Sequence, residues 1–437
     1  MGTMNSPGTA GAAPRGPTHQ NRTRRMVSIV LTKAPFRWRA VVLTKAPFRW
    51  RAVVLTKAPF RWRAVHPVRV LLCIVACANL ACLFPAWQAQ TEYPPPLNRV
   101  AAWLPSSWDS TRARASWEAN RACIQELSPV WYQLDASGDG SINSYAGARD
   151  VALVEAAHAQ STLVIPLINN AYAGSGMHAT PVSQMIHDPA RRAIHVNALL
   201  NETLTYGYDG IDVDYESLNG QADRDAFSLF IHQLAESLHA HGKLLSVTVH
   251  PKTSEPGPWD GPKAQDWASI GAVADRFRVM TYGYHWNTSE PGPIAPAWWM
   301  EDVIAFATSI VAPNQVYVGF HFYGHDWSDG TGGSVVWEDT QALINTYGVS
   351  PQWQDTDGWG RAVAEHWFTY TDHLDQQHEV WYADADSVAA RLVLVQRYGL
   401  GGIAVWRLGG EDPANWEAIA AALQPANLVF LPTVSQR

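Results

Sequence analysis

Cysteine is nearly absent from the 437-residue chain: Cys73, Cys77 and Cys82 crowd into one apolar run, and only Cys123 lies further on. An internal disulfide framework and paired CxxC metal sites are therefore excluded beyond that run. Acids are missing altogether from the first 91 positions, which hold 14 of the 32 Lys and Arg; Glu92 is the first. All 39 acids then face the other 18 basic residues, so the formal net charge of −7 conceals a body near −21. That body lacks the excess of Lys and Arg that phosphate contacts require, which argues against a nucleic-acid partner. No HExxH occurs and no Gly-rich phosphate loop follows the first expected strand, so neither a metal nor any other cofactor is expected. Charged residues make up only 16% of the chain and hydrophobic ones 47%, a globular composition. The excess is in Trp: of 21, 17 lie beyond residue 90, and such rings either fill cores or offer flat faces to ligands.

Residues 31–65 are nearly three copies of LTKAPFRWRAVV. A twelve-residue period is too short for stacking solenoid units, so residues 1–66 read as a disordered basic leader. Residues 67–89 then carry Arg69, a short apolar run from Val70 to Phe84 and small residues up to Ala89. This is the grammar of a signal peptide, with a short membrane anchor at 68–85 as the alternative, because the run falls below the ~20 residues of a spanning helix. The expectation is a secreted or cell-envelope protein that meets a membrane only if the leader is uncleaved.

From residue 97 to 424 short β-rich runs alternate with helical stretches. The runs are VAAWL (100–104), SPVWYQL (128–134), TLVIPLI (162–168), YDGIDVDYE (208–216), KLLSVTV (243–249), RFRVMTYGY (276–284), QVYVGFHFYG (315–324) and GGIAVWRL (401–408). Eight such units predict an α/β (β/α)8 barrel, functioning as a monomer. The stretch 327–381 is too long for a connection and reads as an insertion between strands seven and eight. Residues 425–437 form a tail.

The densest chemistry is Asp209-Gly210-Ile-Asp212-Val-Asp214-Tyr-Glu216. Side chains alternate along a strand, so Asp212, Asp214 and Glu216 share one face while Ile211, Val213 and Tyr215 take the other. In a barrel the inward face leads to the C-terminal mouth, where active sites lie. Crowded, desolvated carboxylates cannot all ionise together, and one of them kept protonated is what a leaving alcohol needs from a general acid. Stacked acids can also chelate a divalent cation, and the strand alone leaves both uses open.

The pattern Asp209-x-x-Asp212-x-Asp214-x-Glu216 resembles, without substitution, the DxxDxDxE signature of glycoside hydrolase family 18, the chitinase-like family. Met280-Thr-Tyr282 is similar to that family's sixth-strand M-x-Y, and Gly401-Gly-Ile-Ala-Val-Trp406 to its eighth strand with a sugar-stacking Trp. The segments 279–296 and 378–410 look nearest to the spore-germination and cortex-lytic N-acetylglucosaminidases.

The resemblance implies substrate-assisted hydrolysis, in which Glu216 protonates the glycosidic oxygen and the substrate's own 2-acetamido carbonyl attacks the anomeric carbon. Asp214 would orient the acetamido N–H, Asp212 would share a hydrogen bond with Asp214, and Tyr282 would hold the carbonyl oxygen. Trp406, Met280, Tyr284 and Trp286 are the expected substrate contacts, and Asp209 and Gly210 the structural positions. The implied partner is a polysaccharide containing N-acetylglucosamine. Two alternatives are a lectin on the same barrel and a conventional retaining enzyme with a second carboxylate, for which the seventh-strand mouth offers only Asp326. Gly283 stands where many chitinases have Asp, and the third strand lacks their Ser-x-Gly-Gly; both argue against crystalline chitin.

Overall fold

The computed structural model describes residues 99–172 and 176–423, together with the backbone of three strands among the basic repeats. Those strands, Val27–Ala34, Arg37–Ala46 and Arg49–Val54, pair antiparallel in chain order. The rest of the expected basic leader, 1–66, lies outside the described residues. Each copy contributes a run rich in β-branched and aromatic residues, and the runs are separated in sequence by Pro35-Phe36 and Pro47-Phe48. The expected signal peptide at 67–89 and the tail at 425–437 lie outside the described residues. Residues Met1–Gln90 form one unit and Thr91–Arg437 a second.

Eight parallel strands of the second unit close on themselves: β1 Val100–Leu104, β2 Glu126–Leu134, β3 Leu167–Asn169, β4 Gly210–Asp214, β5 Leu244–Val249, β6 Arg276–Val279, β7 Val316–His321 and β8 Gly402–Trp406. Each pairs with the next, and β8 returns to β1 through Ala404 opposite Ala101. The expected barrel is thus the observed one. Its third strand is broken: Leu163–Val164 pairs with β2, then Pro166 interrupts before β3. Proline has no N–H for a ladder, but its carbonyl still accepts from the Asp212 N–H at 2.9 Å.

Two-residue periodicity divides the strands. Val100, Ala102, Ile211, Val213, Val247, Phe277, Val318, Ile403 and Val405 face outward into the main core. There they pack against helices that include α1 Ser110–Asn120, α2 Val151–His158 and α3 Arg224–His239. The inward set is smaller and mixed: Ala101, Trp103, Val130, Leu167, Tyr317 and Ala404 pack together, surrounded by buried Glu126, Ser128, Asp212, Ser246 and Arg278. A polar barrel interior is costly unless most of its groups are paired.

Between β7 and β8 lies a five-stranded antiparallel sheet made of Thr331–Val335, Gly324–Ser328, Gln377–Tyr382, Ala362–Thr371 and Gln352–Thr356 in spatial order, with helix Trp337–Tyr347. The insertion therefore runs from Gly324 to Tyr382, slightly beyond the expected 327–381. It is fastened by Glu365, buried and accepting from the N–H groups of Ile294 (3.0 Å) and Ala295 (3.2 Å) after β6, and from Arg391 Nη2 (2.7 Å) of helix Ala385–Arg397. His321 at the end of β7 faces the same carboxylate at 3.4 Å.

Candidate active site

At the base of β4, Asp209 and Gly210 serve the backbone. The Asp209 carboxylate accepts from the Val164 N–H at 2.7 Å and faces His158 Nε2 at 2.9 Å, holding the first piece of the third strand against β4. A Cβ on Gly210 would lie 2.2 Å from the Leu244 carbonyl, so only glycine permits that approach to β5.

One step up, Asp212 is fully buried and saturated. Trp103 Nε1 (2.9 Å) and Arg278 Nη1 (2.9 Å) donate to its Oδ2, and Ser246 Oγ (2.6 Å) and Thr248 Oγ1 (3.1 Å) to its Oδ1. Arg278 continues the chain downward, donating to Ser128 Oγ at 2.7 Å and to Glu126 Oε2 at 3.2 Å. Glu126 also takes Arg276 Nε at 2.6 Å. The barrel axis thus carries a paired column, Glu126, Arg278 and Asp212, supporting the acids above it.

Asp214 ends β4 and Glu216 follows two residues later, beyond the last ladder bond. Both line a cavity of about 140 Å³ with Trp103, Thr248, Met280, Tyr282 and Trp406. One Asp214 oxygen, Oδ1, is buried there without a partner. Burial, then the neighbouring Glu216 and Asp212, push the Asp214 carboxyl well above the ordinary range. Burial raises Glu216 to about 7. Tyr282 is likewise pushed up, first by burial and then by Tyr323 and the acids, so its hydroxyl stays a donor.

Glu216 is positioned through its backbone. Its N–H donates to Asn170 Oδ1 at 3.2 Å, and its carbonyl lies 2.9 Å from His250 Nε2. A carbonyl can only accept, so Nε2 carries the hydrogen; burial keeps this imidazole neutral by lowering its pKa to about 4. Gln265 completes the brace, accepting from the His250 N–H at 2.8 Å and donating to the Tyr215 carbonyl at 3.3 Å. Tyr282 owes its place to Gly319 on β7, where a Cβ would come within 2.7 Å of the tyrosine ring. The Trp406 ring meets Trp103 edge-on, with centroids 5.9 Å apart.

The structure therefore brings together Asp214, Glu216, Met280, Tyr282 and Trp406, with Asp212 immediately beneath them. Tyr284 and Trp286 are not in the cavity. Tyr284 follows Gly283, whose φ of 77° turns the chain outward, and its ring packs on Trp298 and Trp299, each 5.4 Å away. Trp286 lies further out on the same loop, half exposed, its carbonyl accepting from Trp327 Nε1 at 3.3 Å. Asp326 is also outside, accepting from Tyr370 at 2.6 Å and facing His378 Nδ1 at 2.7 Å. Sequence reading missed Asn170, Ser246, Thr248, His250, Arg278 and Gly319. The only signal for most of them was their inward parity on strands already located. Among the described residues one group, His366, Asp384 and Asp386, brings three potential metal-ligating atoms within 4.8 Å of each other. It belongs to the insertion and the helix after it, and Asp384 is already engaged by His366 Nδ1 at 2.5 Å and the Ser387 N–H at 3.0 Å.

Buried acids and a tryptophan at the C-terminal mouth of a closed (β/α)8 barrel lie where enzymes of this fold build their active sites. Residues 170–411 match the family model "Glycosyl hydrolases family 18", and the chain belongs to that family. YdhD of Bacillus subtilis (strain 168), named as a sporulation-specific glycosylase, is 30% identical over 61% of this chain and 63% of its own length. The cortical fragment-lytic enzyme of the same organism is 29% identical over 53% of this chain and 54% of its length. The chain thus spans between half and two thirds of these relatives. Among solved structures, a chitinase from Chromobacterium violaceum ATCC 12472 superposes with a TM-score of 0.68 at 28% identity, covering 75% of this chain and 99% of that one.

Proposed function

We propose that this chain is a retaining glycoside hydrolase that cleaves β-linked N-acetylglucosamine-containing polysaccharide with the substrate's own acetamide as nucleophile. The observation that carries the reading is the placement of a buried Glu216 beside an unpartnered Asp214 Oδ1 in one cavity lined by Trp406, where burial raises Glu216 to about 7. Glu216, neutral up to about pH 7, gives its proton to the glycosidic oxygen as the C–O bond breaks. The acetamido oxygen closes on the anomeric carbon from the opposite face, with its N–H on Asp214 and the carbonyl held by Tyr282. Water then opens the cyclic intermediate, and Glu216 takes back a proton, so the sugar leaves with its configuration retained.

A conventional double displacement needs a second, ionised carboxylate ~5 Å from the acid. Asp212 is saturated by four donors, Asp326 is occupied outside the cavity, and Asp214 is held toward its neutral form. None is a free nucleophile, which favours the acetamide. As substrate we rank peptidoglycan or a spore-cortex-like glycan first, in keeping with the relative named a cortical fragment-lytic enzyme, then chitin oligomers, in keeping with the neighbour named a chitinase, and the core of N-glycans third. The route is export, with N-terminal sequencing of secreted protein expected to start near Gln90. Among the described residues no helix is long and apolar enough to cross a membrane.

Purified Glu216→Gln should keep its fold and lose at least three orders of magnitude in kcat on N-acetylglucosamine oligomers, judged by released products in mass spectrometry; turnover equal to the wild type would remove the reading.

A further inference from the structure

Trp359 is the most exposed large apolar side chain among the described residues, with 85% of its surface open to water. A solitary exposed aromatic is ordinary on a floppy tip. This one sits on a turn fixed from several directions. Asp357 Oδ1 accepts from the N–H groups of Trp359 (2.8 Å) and Arg361 (3.0 Å), and its Oδ2 from Arg361 Nε (2.7 Å). The Asp357 N–H donates to the Arg361 carbonyl at 2.9 Å, and Gly360 supplies a φ of 76° that other residues resist. Arg361 then lies over the Trp298 ring, 3.5 Å from its centroid. An indole thus stands outward on a rigid support joining strands Gln352–Thr356 and Ala362–Thr371 of the insertion.

The support rests on the loop that leaves the cavity wall after Tyr282. Trp298 packs on Tyr284 at 5.4 Å, and Tyr284 follows two residues after Tyr282, which lines the cavity wall. That cavity, at about 140 Å³, is well below the ~300 Å³ at which pockets for whole drug-sized ligands begin. A polymer held there by one ring must leave across the rim. The charge at the tip is already matched, since Arg361 is paired with Asp357 and stacked on Trp298, so the turn offers a flat apolar face rather than an anion site.

We propose that Trp359 is an accessory platform on which a distal ring of the same glycan strand stacks through its C–H face, outside the catalytic cavity. The inference rests on the glycosidase reading above. The platform holds the polymer without touching the reacting atoms, and short substrates that end inside the cavity never meet it.

The test compares wild type and Trp359→Ala, both as the full chain, on two substrates: long soluble glycan strands of N-acetylglucosamine polymer and a chromogenic disaccharide of the same sugar. The platform predicts that kcat/KM on the long strands falls about tenfold, through KM, equivalent to ~1.4 kcal/mol. The disaccharide value should stay within twofold, and Trp359→Phe should recover most of the loss. Equal effects on both substrates, or none on either, would overturn it. So would a fall in sedimentation mass from dimer to monomer on Trp359→Ala, which would make the ring a protein contact. Wild type that cleaves neither substrate removes the glycosidase reading and the platform with it; cleavage with KM indifferent to position 359 removes the platform alone.

Discussion

At the scale of single residues, catalysis depends on which carboxyls hold protons. Glu216, raised to about 7 by burial, supplies an acid that is lost as pH rises past that value, so kcat/KM should fall tenfold per unit on the alkaline side. The same shift acts on stability. A carboxyl whose folded pKa exceeds its ordinary 4.5 contributes stability that is fully present below pH 4.5 and is lost as pH rises through about 7. Glu216→Gln, unable to ionise, should therefore match the wild type in melting temperature at pH 4 and exceed it at pH 8; a difference that shrinks with pH would contradict the burial argument. Asp214→Asn should keep the fold but leave the acetamide poorly oriented, with a loss in kcat of about 10²-fold, in the range that misplaced reacting groups cost.

Elements decide how those residues meet. The fourth strand was legible in full, because three acids at spacing two with Ile211 and Val213 between them admit only one inward face. Tyr282 and Trp406 were legible through the resemblance of Met280-Thr-Tyr282 and of the last strand to the family's motifs. Tyr284 and Trp286 were not, because β6 ends at Val279 and the chain turns away at Gly283, so strand parity no longer applies beyond Tyr282. Also beyond reach was the Glu126, Arg278 and Asp212 column, whose members are separated by up to 152 positions in sequence and come together only when β2, β4 and β6 close on one axis. Arg278→Met should cost on the order of 3–5 kcal/mol in urea unfolding, since it strands two buried carboxylates. On β7, Gly319→Ala should push the Tyr282 ring aside and lower kcat/KM ~10-fold or more with a smaller change in melting temperature; unaltered kinetics would show that the ring has room to spare.

Over the whole molecule, the division between a basic and an acidic segment coincides with a division into units at Gln90. The basic repeats and the acidic barrel fall in separate units. A chain starting at Thr91 should accordingly unfold at the same temperature as the full-length protein. The insertion is another matter, being tied by Glu365 to the loop after β6 and to Arg391. Its existence could be read from an overlong connection, while the buried clamp that fixes it against the mouth could not, because Glu365 looks in sequence like one more surface acid.

In the proposed mechanism the substrate's acetamide, rather than a protein carboxylate, attacks the anomeric carbon. Inhibition by a thiazoline analogue of N-acetylglucosamine, which mimics the cyclic intermediate, tests it most directly. Competitive inhibition far tighter than that by N-acetylglucosamine itself is the predicted result, whereas full activity on N-acetylglucosamine oligomers with no response to the thiazoline would contradict it.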